Sequence, residues 1–163
     1  IGTASVRHGD VVIGALSVVN AAGDVVDWRK GVIVAGARTA DGRGFANSVD
    51  VLRGDLQRRS AGTLADDPLR ATTLTVVATN VGLGKTHLTK LAMMANTGAA
   101  RAINPYHTQG DGDQLYALST GTLAPAMSLT ALGAIAAELV ADAIVRAVRM
   151  ATGVDGWLAT RDL

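Results

Sequence analysis

With 163 residues the chain has the size of one domain and enough length to bury a core. Apolar residues at 48% against charged residues at 18% exclude a disordered chain, and a net charge of +1 excludes a broad electrostatic grip on nucleic acid. The absence of cysteine excludes disulfides, thiolate metal sites and a Cys nucleophile, and makes a reducing, cytoplasmic setting the expectation.

The first residues read as strand. Residues 10–20 (DVVIGALSVVN) are rich in β-branched side chains and form the next strand candidate. Ala21-Ala22-Gly23-Asp24 is a turn signal, and Val25 to Trp28 resumes an extended run, so these two segments are expected to form a hairpin. Val32-Ile33-Val34 is a further short strand. From Ala40 to Arg70 periodicity fades, leaving a weak helix over Val49 to Arg58 and a loop with Pro68. Loops this long are usually functional or disordered.

The pattern returns at Thr72-Thr73-Leu74-Thr75-Val76-Val77-Ala78-Thr79, a strong strand signal. Gly82-Leu83-Gly84 breaks it. Thr86 to Ile103 reads as a helix, with Leu88, Leu91, Ala92, Ala95 and Ala99 on one apolar face, and Asn104-Pro105 stops it. Gln109 to Asp113 is a polar turn, Gln114 to Ser119 a strand, and Gly121 to Pro125 a loop. Ser128 is the expected N-cap of a long helix from Leu129 to Met150, with Gly153 beyond its end. That stretch is the most apolar, yet Glu138, Asp142, Arg146 and Arg149 argue against a membrane span. Its many alanines would let it pack closely on a sheet or a neighbouring subunit. No internal repeat is visible.

Two features carry chemistry. Gly84-Lys85-Thr86 follows a strand and opens a helix, the setting of a phosphate-binding loop for a nucleotide. However, the first glycine of that motif would fall at Thr79, and no later strand ends in a magnesium-binding Asp. An exposed Lys85 at a helix start is the simpler reading. The second feature is the junction Arg70-Ala71-Thr72-Thr73, where a polar segment gives way to a strand that starts on Thr. A chain-terminal Thr can act as nucleophile with its own α-amine as base, since that amine titrates at about 7.7–8.0. Freeing the amine requires self-cleavage between Ala71 and Thr72. The chain holds many threonines, and spacing alone does not single this one out.

Three blocks do so by resemblance: VVNAAGDVVD (Val18–Asp27), TTLTVVATN (Thr72–Asn80) and LAMMANTGAARAINPYHTQGDGDQLYALSTG (Leu91–Gly121). In this order they resemble the self-processing family of the D-aminopeptidase DmpA, the β-peptidyl aminopeptidases and the nylon-oligomer endohydrolases, nearest the Thr-type nylon-hydrolase branch. The resemblance implies an α+β fold, a four-layer αββα sandwich like that of N-terminal-nucleophile hydrolases but with its own strand connectivity. It implies that residues 1–71 belong to an α chain and 72–163 to a β chain headed by the nucleophile, sharing one domain. The family's α chain begins upstream of the segment matching Ile1 and contributes a Gly-rich region with an active-site Lys or Tyr. By position, Thr72 matches the nucleophile. Asp111 and Asp113 match two acidic residues that orient it and its amine, and Asn20 matches an oxyanion donor, a role worth about 3–4 kcal/mol. Ala71 stands where the Thr branch carries Asn.

Each has a plainer alternative: a strand Thr for Thr72, a solvated Asp-Gly turn for Asp111 and Asp113, and a pre-turn Asn for Asn20. Thr73 points to the other face of its strand and is a poor substitute nucleophile. His107 reads as structural, and His8 and His87 have no evident partner. The two Asp residues lack a third ligand for a metal. The implied activity is an autoprocessed amide hydrolase without metal or organic cofactor. Its substrates would be short linear amides such as 6-aminohexanoate oligomers or small peptides, or, as an aminopeptidase, N-terminal β- or D-amino acids. A tetramer of αβ units is expected, with no nucleic-acid or membrane partner. The rivals are a nucleotide-binding protein and a non-catalytic scaffold that has lost processing at Ala71.

Overall fold

The computed structural model describes residues 1–58, 71–124, 127–156 and 158–162, with the side chains of 55–58 left aside. In chain order these are β1 (Gly2–His8), β2 (Val11–Asn20), β3 (Asp24–Asp27), β4 (Val32–Ala35), α1 (Ser48–Arg58), β5 (Thr72–Val81), α2 (Lys85–Ala102), β6 (Ile103–Asn104), β7 (Gln114–Leu123), α3 (Leu129–Met150) and a short 3-10 helix (Thr160–Asp162). The fold is α+β, as expected. The strands form a four-stranded sheet ordered β1-β2-β5-β7 and a three-stranded sheet ordered β4-β3-β6. Pro68, Arg70, Pro125 and Trp157 lie outside the described residues.

The expected hairpin between residues 10–20 and 25–28 does not form. β2 instead pairs with β1 through the two-residue loop Gly9-Asp10, where Gly9 takes φ +58°. A glycine tolerates that conformation without steric cost. The Ala21–Asp24 turn carries the chain out of this sheet, and β3 pairs with β4 and β6 in the other one. Gly23 makes the exit possible. An added Cβ there would lie 2.1 Å from the Pro105 carbonyl oxygen.

Alternation sets the two faces of the larger sheet. Ile13, Ala15 and Ser17 of β2 and Thr73, Thr75, Val77, Thr79 and Val81 of β5 are buried. Ser17, Thr75 and Thr79 are tolerated inside because their hydroxyls find partners, whereas the Thr73 hydroxyl has none among the described residues. Ser17 and Thr75 share a 2.9 Å hydrogen bond, and Thr79 Oγ1 donates to the Val12 carbonyl at 2.9 Å. This face is covered by α2 and α3, which pack on each other with Leu91, Leu132, Val140 and Ile144 fully buried. Burying each such side chain contributes about 1.5–3 kcal/mol. Small residues bring the backbones close: a Cβ at Gly98 would lie 1.9 Å from the Ala137 carbonyl oxygen, and one at Gly2 2.1 Å from that of Ala143. The alanines of α3 therefore pack against both sheet and helix.

Among the described residues no helix covers the opposite face, and much of it is apolar. Leu16, Val18, Leu74, Tyr116 and Leu118 are all exposed there.

Ser128 caps α3 by accepting from the Thr130 N–H at 3.2 Å. At the other end the cap residue is Ala151 in extended conformation rather than a glycine stop near Gly153. The Arg161 guanidinium instead donates to the Met150 carbonyl at 2.6 Å. The expected loop at Gly121–Pro125 is corrected too, because β7 continues to Leu123. Val81 and Leu123 pair, and the Gly82 N–H bonds the Leu123 carbonyl at 2.7 Å, holding residues 121–123 in the ladder. Helix α1 is real and starts on a buried carboxylate. Asp24 accepts from the Ser48 N–H at 2.6 Å and the Ser48 hydroxyl at 2.8 Å. Among the described residues no helix is long and apolar enough to cross a membrane.

Candidate active site

β5 and β7 are parallel neighbours, so their first residues lie at the same end of the sheet. β2 is antiparallel to β5, so its last residue lies there as well. Strand polarity alone therefore gathers Asn20, Ala71, Thr72 and the Asp111–Asp113 turn. Asn20 pairs directly with Thr72, and Ala71 forms an isolated parallel bridge with Asp111.

The turn is built by the chain leaving α2. After β6 it passes a cis Asn104–Pro105 bond, then Tyr106 and His107, the latter at φ +61°. The Asp111 N–H bonds the Thr108 carbonyl at 3.1 Å. Asp111 Oδ2 accepts from the Thr108 N–H at 2.9 Å and from its hydroxyl at 2.7 Å. This local pairing is the reason Asp fits the turn. Asp111 Oδ1, in contrast, is buried and has no partner among the described residues.

Asp113 is only 2% exposed. Its Oδ1 accepts from the Thr73 N–H at 2.6 Å and its Oδ2 from the His107 N–H at 3.3 Å. It thus grips the backbone just after Thr72. Burial pushes its carboxyl above the ordinary carboxylate range against the pull of the Thr73 N–H, and the Asp111 charge adds to the rise. Tyr106 stands beside both acids. Burial and then their two charges push its phenol up to about 12, so it stays neutral and donates to Asn96 Oδ1 at 2.8 Å.

Thr72 is half-buried, while Thr73, pointing the other way, is 1% exposed. The Thr72 hydroxyl donates to the Ala71 carbonyl at 2.6 Å, and the Gly112 N–H donates to the same oxygen at 2.9 Å. A Cβ at Gly112 would stand 2.6 Å from Thr72 Oγ1, so a bare backbone is what leaves room for the hydroxyl. Asn20 is exposed at the rim.

All four residues singled out in the sequence, together with Ala71, are thus brought to one end of the sheet. Sequence reasoning missed Gly112, Thr108 and the Thr73 amide. A glycine between two acids was the available signal for the first of these. His107 stacks on Tyr106 with ring centroids 5.3 Å apart. Gly84-Lys85-Thr86 lies at the far end of β5 from Thr72, and the exposed His8 and His87 lie outside the cluster. Among the described residues no three His, Asp or Glu side chains gather as metal ligands.

The model of peptidase family S58 matches residues 1–161. Over 177 residues the chain is 33% identical to an uncharacterized aminopeptidase of Mycobacterium tuberculosis (strain ATCC 25618 / H37Rv), covering 100% of this chain and 51% of that protein. Over 158 residues it is 34% identical to the 6-aminohexanoate-oligomer endohydrolase of Paenarthrobacter ureafaciens, covering 90% and 43%. The chain thus spans about half the length of the curated relatives it matches. Among solved structures it superposes on the L-aminopeptidase D-Ala-esterase/amidase of Ochrobactrum anthropi with a TM-score of 0.52 at 23% identity, covering 91% of this chain and 39% of that one. That structure is described as a variant of the Ntn-hydrolase fold, and the likeness is one of fold.

Proposed function

This chain belongs to peptidase family S58, and from that premise we propose that it is the self-processing part of an amide hydrolase whose nucleophile is Thr72. The observation that carries the reading is the Thr72 hydroxyl lying on the Ala71 carbonyl at 2.6 Å, with Asn20 beside it and two acids behind it. In the precursor, Thr72 Oγ attacks the Ala71 carbonyl carbon. The peptide bond breaks, an ester forms, and water hydrolyses it. Residues up to Ala71 then close an α chain, and Thr72 opens a β chain within one shared domain.

The freed α-amine takes the hydroxyl proton when Thr72 attacks a substrate amide. Nucleophile and base on one residue keep most of the positioning entropy out of the barrier. The Asn20 side-chain amide stabilises the oxyanion. Asp113 holds the start of β5 in line, and the open Asp111 Oδ1 offers an acceptor for the new ammonium. Water then releases the acyl group. No step draws on a metal or organic cofactor.

The finer fold is a four-layer αββα sandwich. The uncovered apolar face of Leu16, Val18, Leu74, Tyr116 and Leu118 supports it, as a second sheet from the rest of the α chain would bury that face. A tetramer of αβ units remains the proposed assembly. The substrates are short, unhindered linear amides, with 6-aminohexanoate oligomers first, since relatives bear that name. N-terminal β- or D-amino acid peptides are the second reading, supported by the aminopeptidase relatives.

A denaturing gel with intact mass tests the scheme. A fragment beginning at Thr72 is expected, and Thr72→Ala should abolish both cutting and turnover. Full amidase activity from an uncut chain would refute it. Turnover of aminohexanoate oligomers against β-alanyl and D-alanyl amides separates the two substrate classes.

A further inference from the structure

We propose that the backbone N–H of Gly112 is the donor that stabilises the oxyanion when the chain cuts itself between Ala71 and Thr72. The inference rests on the reading of Thr72 as the self-cleaving nucleophile.

The Ala71 carbonyl oxygen accepts from the Gly112 N–H at 2.9 Å and from the Thr72 hydroxyl at 2.6 Å. The two donors differ in what happens to them during reaction. As Thr72 Oγ bonds to the Ala71 carbonyl carbon, the hydroxyl gives up its proton and ceases to be a donor. The carbonyl oxygen meanwhile gains the negative charge. The Gly112 N–H keeps its proton throughout and already points at that oxygen. It is fixed there by the bridge between Ala71 and Asp111 and by the Thr108–Asp111 turn, so it need not reorganise as charge develops. Collapse of the intermediate then breaks the bond from the Ala71 carbon to the Thr72 nitrogen. The proton lost by the hydroxyl ends on that nitrogen, leaving an ester and a free amine.

The identity of residue 112 follows from the same geometry. Its N–H must approach the carbonyl on the side where the hydroxyl also lies. Any Cβ would stand 2.6 Å from Thr72 Oγ1, well inside contact distance. Glycine supplies the donor without displacing the nucleophile. Asp111 and Asp113, flanking it, hold the turn and the β5 backbone, so Gly112 is the residue that touches the reacting group.

The experiment follows scission of the full precursor by intact mass, for wild type, Thr72→Ala, Gly112→Ala, which adds the Cβ but keeps the N–H, and Gly112→Pro, which adds a Cβ and lacks the N–H. Removing one oxyanion donor should slow the appearance of the Thr72-headed fragment in Gly112→Pro by about 100-fold relative to Gly112→Ala. A slowing of about tenfold or more relative to Gly112→Ala supports the assignment, and a smaller one overturns it. Should Gly112→Pro fail to fold, amide hydrogen exchange in the uncut Thr72→Ala precursor decides. A protected Gly112 amide supports the donor, and exchange at the rate of an unstructured peptide overturns it. Failure of the underlying reading looks different: wild type stays uncut, or Thr72→Ala is still cut.

Discussion

Asn20 and Thr72 stand directly opposite one another across the β2–β5 ladder, although the chain between them builds β3, β4 and α1. Residues opposed in an antiparallel pair share a face, with Cβ atoms about 4.5–5.5 Å apart. The Asn20 amide is thus within reach of a tetrahedral centre formed on Thr72 Oγ1. Asn20→Ala should lower kcat about 10²–10³-fold with little change in KM, because the interaction strengthens only as charge develops. Steady-state kinetics on an aminohexanoate oligomer check this, and an unchanged kcat would remove Asn20 from the mechanism.

Asp113 should imprint its environment on stability. Burial raises the affinity of its carboxyl for a proton above the ordinary value of 3.8. Just above that pH the folded state retains a proton that the unfolded state releases. Stability from this group is therefore complete below 3.8 and is lost as pH rises through the raised native value. Asp113→Asn removes the titration, so its Tm should fall less than that of wild type over this window. Parallel Tm–pH curves would contradict the placement.

Gly98 should be intolerant of a single methyl group. An added Cβ meets the Ala137 backbone oxygen at 1.9 Å, which forces α2 and α3 apart. Overpacking costs about 1–3 kcal/mol, whereas alanine regains up to about 1 kcal/mol of helix propensity. A net loss of about 1–2 kcal/mol is expected, or a Tm lowered by roughly 2–8 °C in thermal denaturation. A variant as stable as wild type would show that the two helices can separate freely.

A nucleotide should have no effect. Lys85 opens α2 at the end of β5 remote from Thr72, and the Gly82 N–H in the preceding loop is already bonded to Leu123. ATP with magnesium should leave Tm unchanged for both wild type and Lys85→Ala. A shift in wild type that Lys85→Ala abolishes would restore the phosphate-loop reading.

Some elements were legible because their determinants are local. α3 matches its expected bounds, since the helical period and the Ser128 cap lie within the segment itself. β5 starts at Thr72 for the same kind of reason, the β-branched run. The hairpin failed because a turn signal reports that the chain reverses, not which strand it will pair with. β7 outran its expected end because pairing of Leu123 with Val81 outweighs the glycine at 121. The candidate site was legible only as far as the resembling blocks reached. Thr72, Asn20, Asp111 and Asp113 came from those blocks, and Gly112 from neither pattern nor resemblance.

What the sequence determined by itself was period, caps, breaks and the membership of a handful of polar residues in one family's blocks. Those are properties of neighbours along the chain. Tertiary structure decided that the ends of β2, β5 and β7 meet, that Asp113 is buried on the Thr73 amide, and that a glycine N–H faces the Ala71 carbonyl. Each depends on strand order and polarity, and these are set by which distant surfaces bury together, which no local run of residues encodes.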